Sequence, residues 1–150
     1  MPKDLTETEL RAWQALLHAH HDLVQRLDLE LREEHGITFG EYDVLLRLAR
    51  VPGAALRMTD LADRVMLSPS GVTRLVNRLM VRGFVRREAD QDDARATLAT
   101  LTDEGKRRVR LAARTHLRGI RQHFTGRLSE RQLRQVAEAL EIITGPHRPH

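Results

Sequence analysis

The stretch Ser68-Pro69-Ser70-Gly71-Val72-Thr73-Arg74-Leu75-Val76-Asn77-Arg78-Leu79 leaves a folding chain few choices. Serine is a preferred N-cap, and proline suits the first helical position because it lacks an N–H where the helix has no acceptor for one. A helix therefore starts at Ser68. Its Val72, Leu75, Val76 and Leu79 fall on one face, and Ser70, Thr73, Arg74, Asn77 and Arg78 on the other, following the helical period. The first face packs. The second carries hydroxyls, an amide and two guanidiniums, the groups that meet base edges and phosphates in a major groove. The helix is expected to end at Arg82-Gly83. Beyond it, Phe84-Val85-Arg86-Arg87-Glu88 and Thr97-Leu98-Ala99-Thr100-Leu101 have strand composition on either side of an acidic, polar connection. Two strands and a mobile tip make a wing.

The flanking segments read as helices. Thr6-Glu7-Thr8-Glu9 is a capping box, followed by Leu10, Trp13, Leu17, His20, Val24, Leu27 and Leu31 at alternating spacings of three and four, so a long amphipathic helix runs to His35-Gly36. Thr38 caps a second helix bearing Tyr42, Val44, Leu45, Leu46 and Leu48, which stops at Val51-Pro52-Gly53. A short strand is expected at Leu56-Arg57-Met58. Thr59 then caps a third helix, Asp60 to about Val65, and Met66-Leu67 turns the chain into the Ser68 helix: helix, tight turn, helix. Thr102 caps a long helix from Asp103 to about Thr125 with Val109, Ala113, Leu117, Ile120 and Phe124 in its apolar stripe. Ser129-Glu130-Arg131-Gln132 is a further capping box, opening a last helix with Leu133, Val136, Ala137, Leu140 and Ile143. The tail 145–150 reads as disordered.

Composition narrows the function. A net charge of +4, with 25 Lys and Arg against 21 Asp and Glu, favours an anionic partner. With no cysteine, disulfides, thiolate metal sites and thiol-based peroxide sensing are excluded. The N-terminal residues lack a basic-then-apolar signal pattern, and no apolar run approaches membrane-spanning length, so a soluble cytoplasmic protein without a membrane partner is expected. The terminal helices carry wide apolar stripes that the small middle lobe cannot cover, which points to a second copy of the chain. A two-fold dimer would set the two Ser68 helices one DNA turn apart, roughly 34–36 Å.

In Asp60-Leu61-Ala62-Asp63, Ser68 to Val76, Leu79, Gly83-Phe84-Val85-Arg86-Arg87, and the Asp93-x-Arg95 … Leu101-Thr102-x-x-Gly105 pattern, the chain resembles the MarR family of winged helix-turn-helix transcriptional regulators. The resemblance extends from the first helix to the last. It implies a mainly α fold with a small β wing, in one domain over 1–150: a winged helix-turn-helix DNA-binding lobe at about 38–101, and long dimerisation helices at about 5–36 and 103–144. It further implies a homodimer on a roughly palindromic double-stranded operator, with one recognition helix per subunit in the major groove and each wing against the minor groove. By that match Ser68, Ser70, Thr73, Arg74, Asn77 and Arg78 contact DNA, Arg95 is the wing-tip residue and Asp93 its local support. Physics agrees: a guanidinium suits the negative potential of a narrow minor groove, and Asp93 would repel phosphate unless it holds Arg95, Arg86 or Arg87 in place. Arg86 and Arg87 complete the candidate DNA-binding set. The basic run Lys106, Arg107, Arg108, Arg110, Arg114, Arg118, Arg121 spreads around its helix and reads as a solvated face.

MarR relatives commonly answer to small anionic or phenolic ligands, so the resemblance implies a repressor released by such a molecule. Trp13, His20 and His21 are the candidate ligand residues, with His20 on the apolar stripe itself. Metal response is an alternative input: His116 and His123 lie seven apart on one helix, and His20 or His21 could approach from another. No local metal site is formed by spacing alone, and no cofactor is expected. An enzyme is disfavoured, since Ser68 and Ser70 have no neighbouring histidine or glycine elbow and there is no phosphate-binding glycine loop. An architectural DNA binder without ligand control would share the winged fold but show weak sequence preference.

Overall fold

The computed structural model describes residues 4–65 and 67–145. The turn residue Met66 and all but the first residue of the expected disordered tail lie outside them. Two capped helices open the chain. Helix α1, Glu7–His35, starts at a complete capping box: the Thr6 hydroxyl accepts from the Glu9 N–H at 3.2 Å, and the Glu9 carboxylate accepts from the Thr6 N–H at 2.7 Å. It stops at Gly36, whose φ of 65° lets its N–H reach the Arg32 carbonyl, a conformation a side chain would strain. A second capping box, Thr38 with Glu41, starts α2, Phe39–Ala49.

The wing elements follow a turn over Pro52–Ala54. Strand β1 is Ala55–Arg57, and helix α3, Met58–Val65, follows it without a break. Thr59, expected to cap that helix, sits inside it, and Met58, expected in the strand, is its first residue. The cause is tertiary: β1 pairs with Thr100, Ala99 and Leu98 of β3, Thr97–Leu101, so the sheet edge sets where the chain turns helical. Ser68 caps α4, Pro69–Val81, by accepting from the Gly71 N–H at 3.2 Å. Gly83 ends it: with φ 76°, the Gly83 N–H reaches the Met80 carbonyl and the Phe84 N–H the Leu79 carbonyl, a Schellman closure. Strand β2, Val85–Ala89, then pairs antiparallel with β3, giving a three-stranded sheet in the order β1-β3-β2.

Helix α5, Asp103–His123, returns across both α2 and α1. Val72, Val76 and Leu79 of α4, Leu45 and Leu48 of α2, Leu61 of α3, Leu31 of α1 and Ala112 of α5 are buried together in one apolar cluster with the sheet's Ala99 and Leu101. The face α5 buries is shifted from the expected one: Val109 is buried and Ala113 packs against the core as expected, but the neighbouring small residues take the inner positions. Gly105, Val109, Ala112, Thr115 and Gly119 are inside, whereas Leu117 is 56% exposed. Side chains of α1 fill the space beside these small residues: a Cβ on Gly119 would stand 2.4 Å from the Glu30 carboxylate and 2.7 Å from Leu27. The helix also ends earlier than expected, at His123, where Phe124 leaves helical geometry and a turn over Thr125–Arg127 leads to α6, Glu130–Thr144, behind the Ser129 capping box.

No residue of α6 is buried, and Leu10, Trp13 and Leu17 on the N-terminal half of α1 are 44–55% exposed. Those stripes have the helical period of packed surfaces, and they stay exposed among the described residues of one chain.

Gly105 is the tightest point of the lobe. A Cβ there would lie 2.1 Å from the Phe84 carbonyl oxygen and 2.8 Å from Leu101, so Gly105→Ala forces α5 off the sheet. The variant is expected to lose about 1–3 kcal/mol of stability, seen as a lower urea midpoint with an unchanged slope.

Candidate DNA-binding surface

On α4 the polar face divides by what each side chain already does. The Ser68 hydroxyl is spent on the Gly71 N–H and lies 3.2 Å from the Ser70 hydroxyl. Thr73 donates to the Pro69 carbonyl one turn back at 2.9 Å and is half-buried. Arg74, Asn77 and Arg78 are exposed and make no ion pair or side-chain hydrogen bond among the described residues. Two free guanidiniums and a free amide one turn apart are therefore the groups of this helix with unused hydrogen-bonding capacity. The three side chains that hold the helix in place, Val72, Val76 and Leu79, are fully buried on its other face.

The wing presents its arginines on two faces, as strand alternation requires. Arg86 pairs with Glu88, two residues along the same face of β2. Arg87 stands opposite Ala99 on the other face. With Arg95, Thr59 and Thr97 it lines a cavity of about 200 Å³ between the wing and the start of α3. Neither Arg87 nor Arg95 is ion-paired among the described residues.

The wing tip is closed by backbone hydrogen bonds. Asp93 accepts from the Arg95 N–H at 3.0 Å, and the Ala96 N–H donates to the Asp93 carbonyl at 3.0 Å. Asp93 thus supports Arg95 through its backbone and leaves the guanidinium free, rather than pairing with the guanidinium of Arg95, Arg86 or Arg87. A second carboxylate, which sequence reasoning missed, does more. Asp90 accepts from the Asp92 N–H at 3.0 Å and from Arg57 Nε of β1 at 2.7 Å, while its own N–H donates to the Ala96 carbonyl. The Asp92 N–H first, and the Arg57 guanidinium after it, hold the Asp90 carboxyl below the usual carboxylate range. No sequence spacing marks a pair 33 residues apart.

The histidines separate. Trp13 is 55% exposed and His21 is exposed. Only His20 of the candidate ligand residues faces an apolar groove, of about 410 Å³, with Leu16, Leu23, Phe124, Val136 and Leu140. His116 packs against Tyr42 and Phe39 with ring centroids 4.7 and 5.8 Å apart, and His123 Nε2 bonds Glu30 at 2.5 Å. On the same seam His35 Nε2 meets the Thr115 hydroxyl at 2.7 Å, and that hydroxyl donates to Glu34 at 2.8 Å. Its one proton being committed, Thr115 accepts from His35, which fixes the Nε2–H tautomer there. Among the described residues no three His, Asp or Glu gather as a metal site, and no helix is long and apolar enough to cross a membrane.

Sequence and structure comparisons converge. The profile of the MarR family matches residues 35–96. The HTH-type transcriptional repressor MdtR of Bacillus subtilis (strain 168) is 29% identical over 126 residues, covering 83% of this chain and 78% of that protein. AbsC, a MarR family transcriptional regulator from Streptomyces coelicolor, superposes with a TM-score of 0.90 at 32% identity, over 95% of this chain and 96% of AbsC. A second MarR family regulator from that organism, solved in complex with DNA, gives 0.91 at 34% identity over 99% and 93%. These relatives are regulators, not enzymes.

Burial holds the His116 imidazole below its ordinary value, against an upward pull from Asp43 and Glu30. The unfolded chain therefore takes up that proton first as the pH falls through about 6.5. Stability contributed by neutral His116 is complete above that value and is lost between it and the lowered folded-state value. His116→Phe removes the proton uptake, so its unfolding midpoint should fall less between about pH 7 and 5 than that of the unmodified chain in paired thermal melts.

Proposed function

This chain belongs to the MarR family of transcriptional regulators, and on that premise we propose that it is a sequence-specific regulator that works in the cytoplasm as a homodimer on a roughly palindromic operator. The observation that carries the reading is the row of Arg74, Asn77 and Arg78, exposed and uncommitted on a helix whose opposite face is locked into the core. Such a helix can enter a major groove at no cost in broken internal contacts, and its amide and guanidiniums suit base edges. Ser68, Ser70 and Thr73 line its N-terminal end. Arg87 and Arg95 stand ready for the backbone and the minor groove, with Arg86 and Asp93 beside them as partly engaged neighbours.

The dimer is supported by what one chain leaves uncovered. Leu10, Trp13, Leu16 and Leu17 of α1 and Leu140, Ile142 and Ile143 of α6 are all exposed, and Leu16 and Leu140 line one apolar groove; exposed apolar surface of this kind marks an interface. In this division of labour 38–101 reads DNA and the helices at 5–36 and 103–144 join the two copies. The proposed action is repression, relieved when a small anionic or phenolic molecule alters the helix packing. Of Trp13, His20 and His21, the groove favours His20 as the contact for it.

The test is a titration against duplex DNA flanking the chain's own gene, with a scrambled duplex and varied salt. A regulator should prefer its operator by about 10³-fold or more; equal, steeply salt-dependent binding to both would instead mark an architectural DNA binder. Arg74→Ala should cost about 1–3 kcal/mol on the operator and much less on the scrambled duplex, and equal losses would make Arg74 a phosphate contact.

The interface has its own test. Leu17→Asp or Leu140→Asp should turn the dimer into a monomer by sedimentation and abolish tight operator binding. A monomer that keeps full affinity would defeat the two-fold arrangement.

A further inference from the structure

We propose that Arg57 and Asp90 are a positioning pair that sets the wing against the helix-turn-helix, and so decides where Arg95 enters DNA. The inference rests on the reading of the wing as a DNA contact and assigns the device that aims it.

Three observations carry it. Arg57 is the last residue of β1 and is followed at once by α3, so its backbone belongs to the helix-turn-helix. Its guanidinium reaches Asp90 just beyond the end of β2. In a sheet ordered β1-β3-β2 that reach spans β3, where Arg57 and Glu88 both stand opposite Leu98. The ion pair therefore ties all three strands at the outer end of β2, where β1 stops and the hairpin runs on alone. Finally, the Asp90 side chain is only 10% exposed although it lies at the tip of a hairpin.

From Asp90 the constraint passes along an unbroken series. Its carboxylate holds the Asp92 N–H, its N–H holds the Ala96 carbonyl, the Ala96 N–H holds the Asp93 carbonyl, and the Asp93 carboxylate holds the Arg95 N–H. Arg95 is the cation of the series, and its guanidinium has no ion pair among the described residues. Carboxylate-accepted bonds at Asp90 and Asp93, joined by two backbone bonds through Ala96, make a stiff mount for the Arg95 guanidinium. A free arginine on a limp hairpin would have to be ordered at the moment of binding, at an entropic cost this mount has already met.

The decisive property is the sign of the effect at Asp90. A carboxylate near DNA repels phosphate, so if it did nothing else its removal would tighten binding. As a positioning residue, its removal weakens binding. The experiment measures affinity by fluorescence anisotropy for a duplex selected by the unmodified chain from a random-sequence pool, with thermal melts and sedimentation to show that each variant is folded and associated like the parent. Asp90→Ala and Arg57→Met should each lose about tenfold, and the double variant should lose no more than either alone, the mark of one shared interaction. Arg57→Lys, which keeps the charge and the reach, should recover most of the loss. In an Arg95→Ala background, Asp90→Ala should cost less than about twofold, because nothing is left to aim. Tighter or unchanged binding by Asp90→Ala, or losses that add independently of each other and of Arg95, would overturn the proposal. Should Arg95→Ala itself bind as well as the parent, the wing reading beneath it fails instead.

Discussion

Recognition helix, wing and long return helix meet at one contact, the seating of Gly105 on the Phe84 carbonyl. That carbonyl accepts the Thr102 N–H at 3.0 Å, the Thr102 hydroxyl donates to the Gly83 carbonyl at 2.6 Å, and the same hydroxyl accepts the Gly105 N–H. The end of α4, the start of β2, the end of β3 and the first turn of α5 are thereby joined within a few residues. The Phe84 ring below is flanked by the guanidiniums of Arg82 and Arg108 at 4.8 and 5.2 Å, and Arg82 and Arg108 also bond the carbonyls of Gly36 and His35 at the end of α1. Any shift of α1 or α5 is therefore felt at the base of the recognition helix, since close-packed contacts of this kind transmit displacement rather than absorb it.

Around that knot several cations have structural partners. Arg82 and Arg108 are structural; Arg32, Arg47, Arg107 and Arg118 are paired with carboxylates on their own or a neighbouring helix. Most such surface pairs add little stability. Arg74, Arg78, Arg87 and Arg95 are without such partners among the described residues.

Local rules were legible wherever a residue's role is decided within one turn. The capping boxes at Thr6, Thr38 and Ser129 and the caps at Ser68 and Thr102 all form, because a cap is satisfied by an N–H three residues away. The stop at Gly83 follows from its own backbone freedom. The start of α3 was misjudged because Thr59 has the right chemistry for a cap, yet strand pairing at Arg57 overrides it. The stripe of α5 was misjudged in part for a related reason: large apolar residues predict burial, and Val109 is buried, but against α1 the inner positions belong to Ala112, Thr115 and Gly119, and Leu117 faces out. Asp93 was expected to hold a side chain and holds a backbone, while Asp90 went unremarked among the neighbouring acidic residues of the tip.

Sequence alone determined the presence of the helices and most of their caps, the wing strands, the packed face of α4 and the polar face opposite it, since period, caps and turn chemistry are properties of neighbours in the chain. Only the tertiary structure decided which of those polar groups remain free, how close α1 comes to α5, and that Arg57 reaches across a strand to Asp90. Each of these depends on distances between residues many positions apart, which chain closure and packing set together and no local pattern encodes.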